Sequence, residues 1–357
     1  MANSSTRQSS FDALRGIAIL GVVGFHTAAF TPTTIAFIDS VFGVGKLGVQ
    51  LFFFISALTM CHMWEQRAGE SHRTAKFYIR RFMRIAPLFW LAAVFYIAAN
   101  GMGPSFWAHD GMTGIDVGLT MLFLHGFWPH AISNVVPGGW SIAVEMTFYM
   151  LFPLVIGVIG NSRRIYLALA GAIFLLYHFW WQNLLGAMLA TGAFGSDPEL
   201  ADNFLYFNFL SQCPIFLIGC YLHFAIKDGF GRGEVIAAVV IALAGASIGL
   251  TLLTVSAGLS ALVYLGVTRG MRSSLLETFG QNSYALYLVH FIVVQIASNV
   301  LPAQTGLPAL LIRFTAVAII SFALARLIHS TIERRVAPLT KWLVARLDHK
   351  DRQATAA

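Results

Sequence analysis

Charge is what this sequence has least of. Asp, Glu, Lys and Arg make up 11% of its 357 residues and hydrophobic residues 57%, with a mean hydropathy of +0.71; ordinary globular chains are about a quarter charged. A soluble domain is excluded. Cysteine is nearly as scarce. Cys61, Cys213 and Cys220 all lie in apolar runs, where cysteine acts as a small hydrophobe, so neither a disulfide framework nor a zinc site is expected, and no metal is assigned. Acid is scarcer than base, giving a net charge of +7 and a pI near 9.5. Nucleic-acid binding would need those cations gathered on one solvated face. They sit instead in short loops between apolar stretches, the cytoplasmic excess of a membrane protein, and no nucleic-acid partner follows. Internal repeats and low-complexity tracts are also missing. The apolar stretch 11–30 holds Asp12 and Arg15 and is followed by no small-residue cleavage site, which reads as a retained helix rather than a signal peptide.

What the sequence has is apolar runs of membrane-crossing length. A span needs about 20 mainly apolar residues. Segments 11–30, 46–64, 84–100, 140–160, 165–181, 204–226, 235–254, 256–268, 278–300 and 310–332 qualify. The expected fold is all-α and polytopic, with about ten transmembrane helices plus a re-entrant segment at 116–128, which is too short to cross. Charge supports this count. With the N-terminus inside and 116–128 not crossing, Arg67, Arg73, Lys76, Arg80, Arg81 and Arg84 fall on the cytoplasmic side, as do Arg163/Arg164, Lys227/Arg232, Arg269/Arg272 and the basic tail. Asp197, Glu199 and Asp202 fall outside, and of the 23 Lys and Arg only Lys46 and Arg313 lie toward the outer face. The expected organisation is a cytoplasmic N-terminus (1–10), one membrane domain (11–335) and a basic cytoplasmic tail (336–357).

Ionisable residues inside spans cost several kcal/mol and mark sites or buried pairs. Four places stand out. Arg15 and His26 are eleven residues apart on the first helix, almost three turns, so they share a face about 16 Å apart along the axis. His26 is either a satisfied interhelical partner or a base. Arg81 and Arg84, an i, i+3 pair at the cytoplasmic entrance of the third span, suit phosphate through paired hydrogen bonds; the positive-inside rule alone also accounts for them. Glu145 shares a face with Ser141 and Tyr149 by i, i+4 spacing, just after the Pro137-Gly138-Gly139 turn, and needs a partner from another helix. His26 fits that need; a buried structural pair is the other reading. Ser283, Tyr287 and His290 form a polar stripe at i, i+4 and i+7, expected to line a site rather than to react.

Taken together and in order, these segments resemble the acyltransferase-3 family of integral membrane acyltransferases, the bacterial surface-polysaccharide O-acetyltransferase type. The likeness covers about residues 10–335 and rests on FDALRGIAILGVVGFH with its Arg-x10-His spacing, GVQLFFFIS, RRFMRIAP, GGWSIAVEMTFYMLFP and SYALYLVH. Two positions depart from the pattern: Ile142 stands where leucine is common and Ala57 where glycine is. The resemblance implies acetyl-CoA or another acyl-CoA as donor. It implies a hydroxyl of a glycan or lipid-linked glycan as acceptor, a bacterial inner-membrane location with both termini cytoplasmic, and contact with membrane lipid. It gives His26 the place of the essential histidine, Arg15 that of the arginine before it, Arg81 and Arg84 those of the cytoplasmic pair, and Glu145 that of the motif acid.

The resulting expectation is that donor phosphates dock at Arg81, Arg84 and Arg15, while His26, oriented by Glu145, takes the acceptor proton. A direct transfer and an acyl-histidine intermediate both fit. Some relatives carry a secreted hydrolase-like domain; without one, the chain either acts alone or passes the acyl group to a separate partner protein. A non-glycan small molecule as acceptor is an alternative, and a transporter or flippase is the competing class, since intramembrane His, Glu and Arg also mark transport paths.

Overall fold

A computed structural model describes residues 4–105, 107–190, 198–231, 234, 251–301 and 305–356. Its helices are α1 (Ser4–Ala29), α2 (Ala36–Val44), α3 (Gly48–Gln66), α4 (Arg73–Asn100), α5 (Gly114–Met121), α6 (Trp140–Ile159), α7 (Arg163–Ala190), α8 (Pro198–Phe207), α9 (Phe209–Asp228), α10 (Thr251–Thr268), α11 (Ser274–Gln281), α12 (Ser283–Val300), α13 (Leu307–Ile328) and α14 (Arg334–Ala356). No strand occurs among the described residues, as expected where no water is present to satisfy an open sheet edge.

Eight helical stretches among the described residues are long and apolar enough to cross a membrane, and they coincide with eight of the expected spans. The ninth, 256–268, matches the shorter apolar helix Thr254–Thr268. Most of the tenth, 235–254, lies outside the described residues. The protein is therefore an all-α, multi-pass membrane protein. Helix α5 has eight residues, about 12 Å at 1.5 Å per residue, against a hydrocarbon core of about 30 Å, so it does not cross. Thr113 and Asp116 cap its start reciprocally, and Phe123 at φ +61° breaks the chain out of the helix two residues past its end.

Two expected boundaries differ. The span 278–300 is broken: α11 ends at Gln281 and α12 begins at Ser283, with the Asn282 side chain turned back to donate to the Thr278 carbonyl at 2.8 Å. Helix α4 begins at Arg73, eleven residues before the expected span, so Arg73, Lys76, Arg80, Arg81 and Arg84 ride on one helix.

The chain divides into two compact units, one of Met1–Thr59 with Ile218–His329, the other of Met60–Leu217 with Ser330–Ala357. In the first, α1 is the central helix, and small residues bring its neighbours close, as membrane packing favours where no hydrophobic force acts between helices. A Cβ on Gly280 would stand 1.8 Å from the Asp12 carbonyl oxygen, and one on Gly45 would stand 2.2 Å from that of Gly21. At the Ala57 departure the close approach comes from the facing helix, where a Cβ on Gly219 would meet the Ala57 Cβ at 2.7 Å. Arg313 of α13, one of the two cations assigned toward the outer face, donates to Thr31 Oγ1 at 3.2 Å and to the carbonyls of Phe30 and Leu301 at 3.4 and 3.3 Å, satisfying backbone just past the end of α1.

In the second unit, α6 packs on α4 through an aromatic core, with Phe77 stacked on Phe152 at 5.4 Å. Pro153 removes an amide from the helix ladder and opens the preceding turn; the Tyr78 hydroxyl donates to the nearby Met150 carbonyl at 2.8 Å. Helix α14, the expected tail, also lies on α4, where Lys76 pairs with Asp348 at 2.6 Å.

Candidate active site

The site residues fall in both units. In the first, α1 carries Arg15 and His26. Arg15 is buried, paired with Asp12 at 3.0 Å and donating to Thr59 Oγ1 at 2.8 Å. These contacts hold α1 to α3 in the half of the helix where Gly16 and Gly280 let α11 approach. Two turns and more further along, His26 sits among aromatic rings, with centroids 5.1 Å from Phe25, 4.4 Å from Phe291 and 5.3 Å from His290. The break at Asn282 sets the register of α12, which turns Ser283, Tyr287 and His290 inward; all three are buried. The structure thus brings the polar stripe of α12 against His26, a juxtaposition that no spacing within either helix reveals.

In the second unit, a cleft is lined by Met63, Trp64, Arg67, Arg73, Phe77, Arg80 and Arg81. Helical spacing on α4 brings Arg73, Phe77, Arg80 and Arg81 to one side, and the last turn of α3 supplies the opposite wall. The arginines differ in how they are held. Arg80 grips both oxygens of Glu70, and Arg67 approaches the same carboxylate at 4.0 Å. The Arg80 hydrogen bond holds the Glu70 carboxyl below its usual range. Arg73 lies flat over the Trp64 ring at 3.8 Å. Arg81 is 6% exposed and rests between rings, 5.7 Å from Phe77 and 5.4 Å from Tyr149, with one N–H directed at Met63 Sδ at 3.0 Å. Among the described residues no ion pair is formed by Arg73 or Arg81. The expected Arg81/Arg84 pair divides, since Arg84 is exposed on the same helix.

Glu145 lies in this second unit, and Tyr149 donates to its Oε1 at 2.5 Å, so the i, i+4 spacing is realised as a hydrogen bond. Glu145, Tyr149 and Arg81 form a series from α6 to α4. Ser141, the third residue of that face, donates to the Gly138 carbonyl at 3.1 Å and closes the turn at the start of α6. The expected His26–Glu145 hydrogen bond joins residues of different units.

Sequence reasoning passed over His125. It is buried beside the turn that opens α6: its Nε2 lies 2.9 Å from the Gly139 carbonyl, to which it donates, and its ring stacks on Phe89 at 5.6 Å. Gly138 sits at φ +72°, the left-handed region, with its N–H donated to Ser133 Oγ at 3.1 Å. His125 and Ser133 therefore fix the backbone from which Ser141, Glu145 and Tyr149 project. The Gly138-Gly139 pair marked a turn in the sequence, but nothing local marked its partners. No group of His, Cys, Asp and Glu among the described residues is placed to hold a metal ion.

One unit thus places His26 beside the buried His290 in an apolar helical bundle, and the other holds an arginine-lined cleft. The family model described as an acyltransferase domain matches residues 8–329. The chain belongs to this acyltransferase-3 family and is a multi-pass membrane acyltransferase. It is 26% identical to acyltransferase MdmB of Streptomyces mycarofaciens, over 92% of this chain and 91% of that protein. It is 23% identical to O-acetyltransferase OatA of Staphylococcus aureus, over 91% of this chain but 57% of OatA, so it spans little more than half of that relative. No solved structure matches it.

Proposed function

We propose that this enzyme moves an acetyl group from cytoplasmic acetyl-CoA to a hydroxyl of a surface glycan or its lipid-linked precursor, in a bacterial inner membrane with both termini cytoplasmic. The observation that carries the donor half is the arginine cleft, where Arg81 is a buried guanidinium held by aromatic faces and sulfur rather than by a carboxylate. A cation so placed favours a polyanion such as the phosphates of CoA, since a charge-assisted hydrogen bond there replaces no existing ion pair. Arg84, exposed one turn along, extends the same charge outward. Glu145 holds Tyr149 and through it the ring beside Arg81.

His26 is the base. The acceptor hydroxyl gives its proton to the free ring nitrogen of His26 as its oxygen attacks the thioester carbonyl. The C–O bond forms, the C–S bond breaks, and the departing thiolate takes the proton back from the imidazolium. Such general-base assistance contributes about 10²–10⁴-fold. The acetyl assignment rests on the likeness to O-acetyltransferase OatA, and the glycan assignment on the resemblance of the motifs to the surface-polysaccharide type.

Mass spectrometry of surface glycans from cells with and without the protein tests this reading. Acetyl groups that vanish with the gene, together with CoA release from acetyl-CoA by purified protein, are the expected result. Unchanged glycans refute the glycan acceptor, and protein that never consumes acetyl-CoA refutes the donor.

A further inference from the structure

His290 is a buried base with one nitrogen engaged and one idle. Its Nδ1 lies 2.6 Å from the Tyr287 carbonyl. A carbonyl only accepts, so Nδ1 carries the proton and Nε2 holds the lone pair. The residue is 0% exposed, and Nε2 has no hydrogen-bond partner. Leaving a buried acceptor unmet is unfavourable, and such orphan groups in folded proteins call for an explanation, catalysis being one.

The neighbouring ring is His26, with centroids 5.3 Å apart and planes at 43°. Phe291 lies 4.4 Å from His26 and 4.2 Å from His290, closing the space beside both. Two imidazoles joined edge to edge by an N–H···N bond of about 2.9 Å have centroids about 5.2 Å apart. The observed 5.3 Å is that spacing, and the His26 ring turns about a broad terminal torsion.

We propose that His290 is the positioning residue for His26: its Nε2 accepts one ring N–H of His26, which leaves the other His26 nitrogen as the lone pair presented to the acceptor hydroxyl. This rests on the reading of His26 as the base. Through the transfer His290 neither gains nor loses a proton. It holds one N–H of His26 while the other nitrogen receives the hydroxyl proton and returns it to the thiolate. The imidazolium formed in between is stabilised, because its N–H is a stronger donor than that of the neutral ring. A neutral acceptor suits this aromatic enclosure, where a carboxylate would bring a large desolvation cost.

Two measurements test the pair in the full chain. In ¹⁵N-histidine-labelled protein in lipid nanodiscs, solid-state NMR is expected to show His290 protonated at Nδ1 and a through-bond N–N correlation from its Nε2 to His26. An Nε2-protonated His290 overturns the proposal. In inside-out vesicles given [¹⁴C]acetyl-CoA, with incorporation read in the carbohydrate fraction, His290→Phe is expected to lower kcat about 10²-fold with the KM for acetyl-CoA changed less than about twofold. His290→Gln, whose amide oxygen accepts a hydrogen bond, is expected to recover about tenfold of that loss. Equal activity of Phe and Gln variants overturns the positioning role, and the NMR result decides it if His290→Phe does not fold. Turnover by a folded His26→Ala protein would sink the base itself, whereas an inactive His26→Ala beside an active His290→Phe sinks only the positioning role.

Discussion

The two residue clusters proposed for base and donor, one in each compact unit, are built on opposite electrostatic plans. Around His26 and His290 the surroundings are aromatic rings and neutral groups, with the nearest anchor a backbone carbonyl. Around Arg81 four guanidinium groups crowd one cleft, two of them tied to Glu70 and two facing rings. A base needs a ring nitrogen whose lone pair is not already engaged, which a shell of aromatic rings and neutral groups leaves available. An anion site must concentrate positive charge that is not already cancelled, which aromatic faces allow and carboxylates prevent. On the proposed reading, burial serves chemistry in one cluster and recognition in the other.

The largest expected effect breaks the first cluster alone. His26→Ala should cut acetyl transfer by at least about 10²-fold while leaving acetyl-CoA affinity within about twofold. Calorimetric titration beside the vesicle assay checks both; equal losses of binding and turnover would merge the two clusters into one.

Breaking the second cluster should give the reverse pattern. Arg81→Ala should weaken acetyl-CoA binding about tenfold to a hundredfold, the worth of a charged hydrogen bond of about 1.5–3 kcal/mol. Arg81→Lys should recover only part, since lysine lacks the planar fork and stacks less well on Phe77 and Tyr149. If lysine restores full affinity, point charge rather than geometry governs the cleft.

A smaller effect is expected at the scaffold of α6. His125→Ala removes one of the donors to the Gly139 carbonyl, which keeps the Ile142 and Ala143 amides, and should cost about 1 kcal/mol of stability, read as a lower melting temperature in detergent, with His125→Asn closer to wild type. An unchanged melting temperature would free α6 from this anchor.

The smallest concerns Glu70, which is partly exposed. Its carboxyl is held below the usual value by Arg80, so the ionised form is the one the fold favours. That contribution is complete above the unfolded value of about 4.3 and is lost as pH falls through the lower folded value. Glu70→Gln should therefore lower the melting temperature slightly at pH 7, and the difference should shrink below about pH 4. A difference that grows on acidification would reverse the sign of the pairing.

Legibility followed the reach of each physical signal. Hydropathy and length are local, so eight spans, the short α5 and the all-α class were readable from the chain. Periodicity is local as well. It placed Arg15 with His26, and Tyr149 with Glu145, on shared helix faces. It did not show that Asn282 interrupts the span 278–300, where Gly280 lies against the Asp12 carbonyl, more than 250 residues away in sequence. It paired Arg81 with Arg84 by spacing, whereas packing against Phe77 and Tyr149 buries one and leaves the other exposed. His125 carried no local signal at all, since its partner is a backbone carbonyl fourteen residues on.

The sequence by itself determined that this chain lives in a membrane, that it is helical, and which acyltransferase motifs it carries, because apolar run length and residue spacing act along the chain. Tertiary structure alone decided that His290 stands against His26, that Arg81 lies buried between rings, and that His125 pins the turn before Glu145. Those arrangements depend on which helix face meets which neighbour. That choice is made by close contacts such as Gly280 against Asp12, between residues whose separation in sequence carries no information about their distance in space.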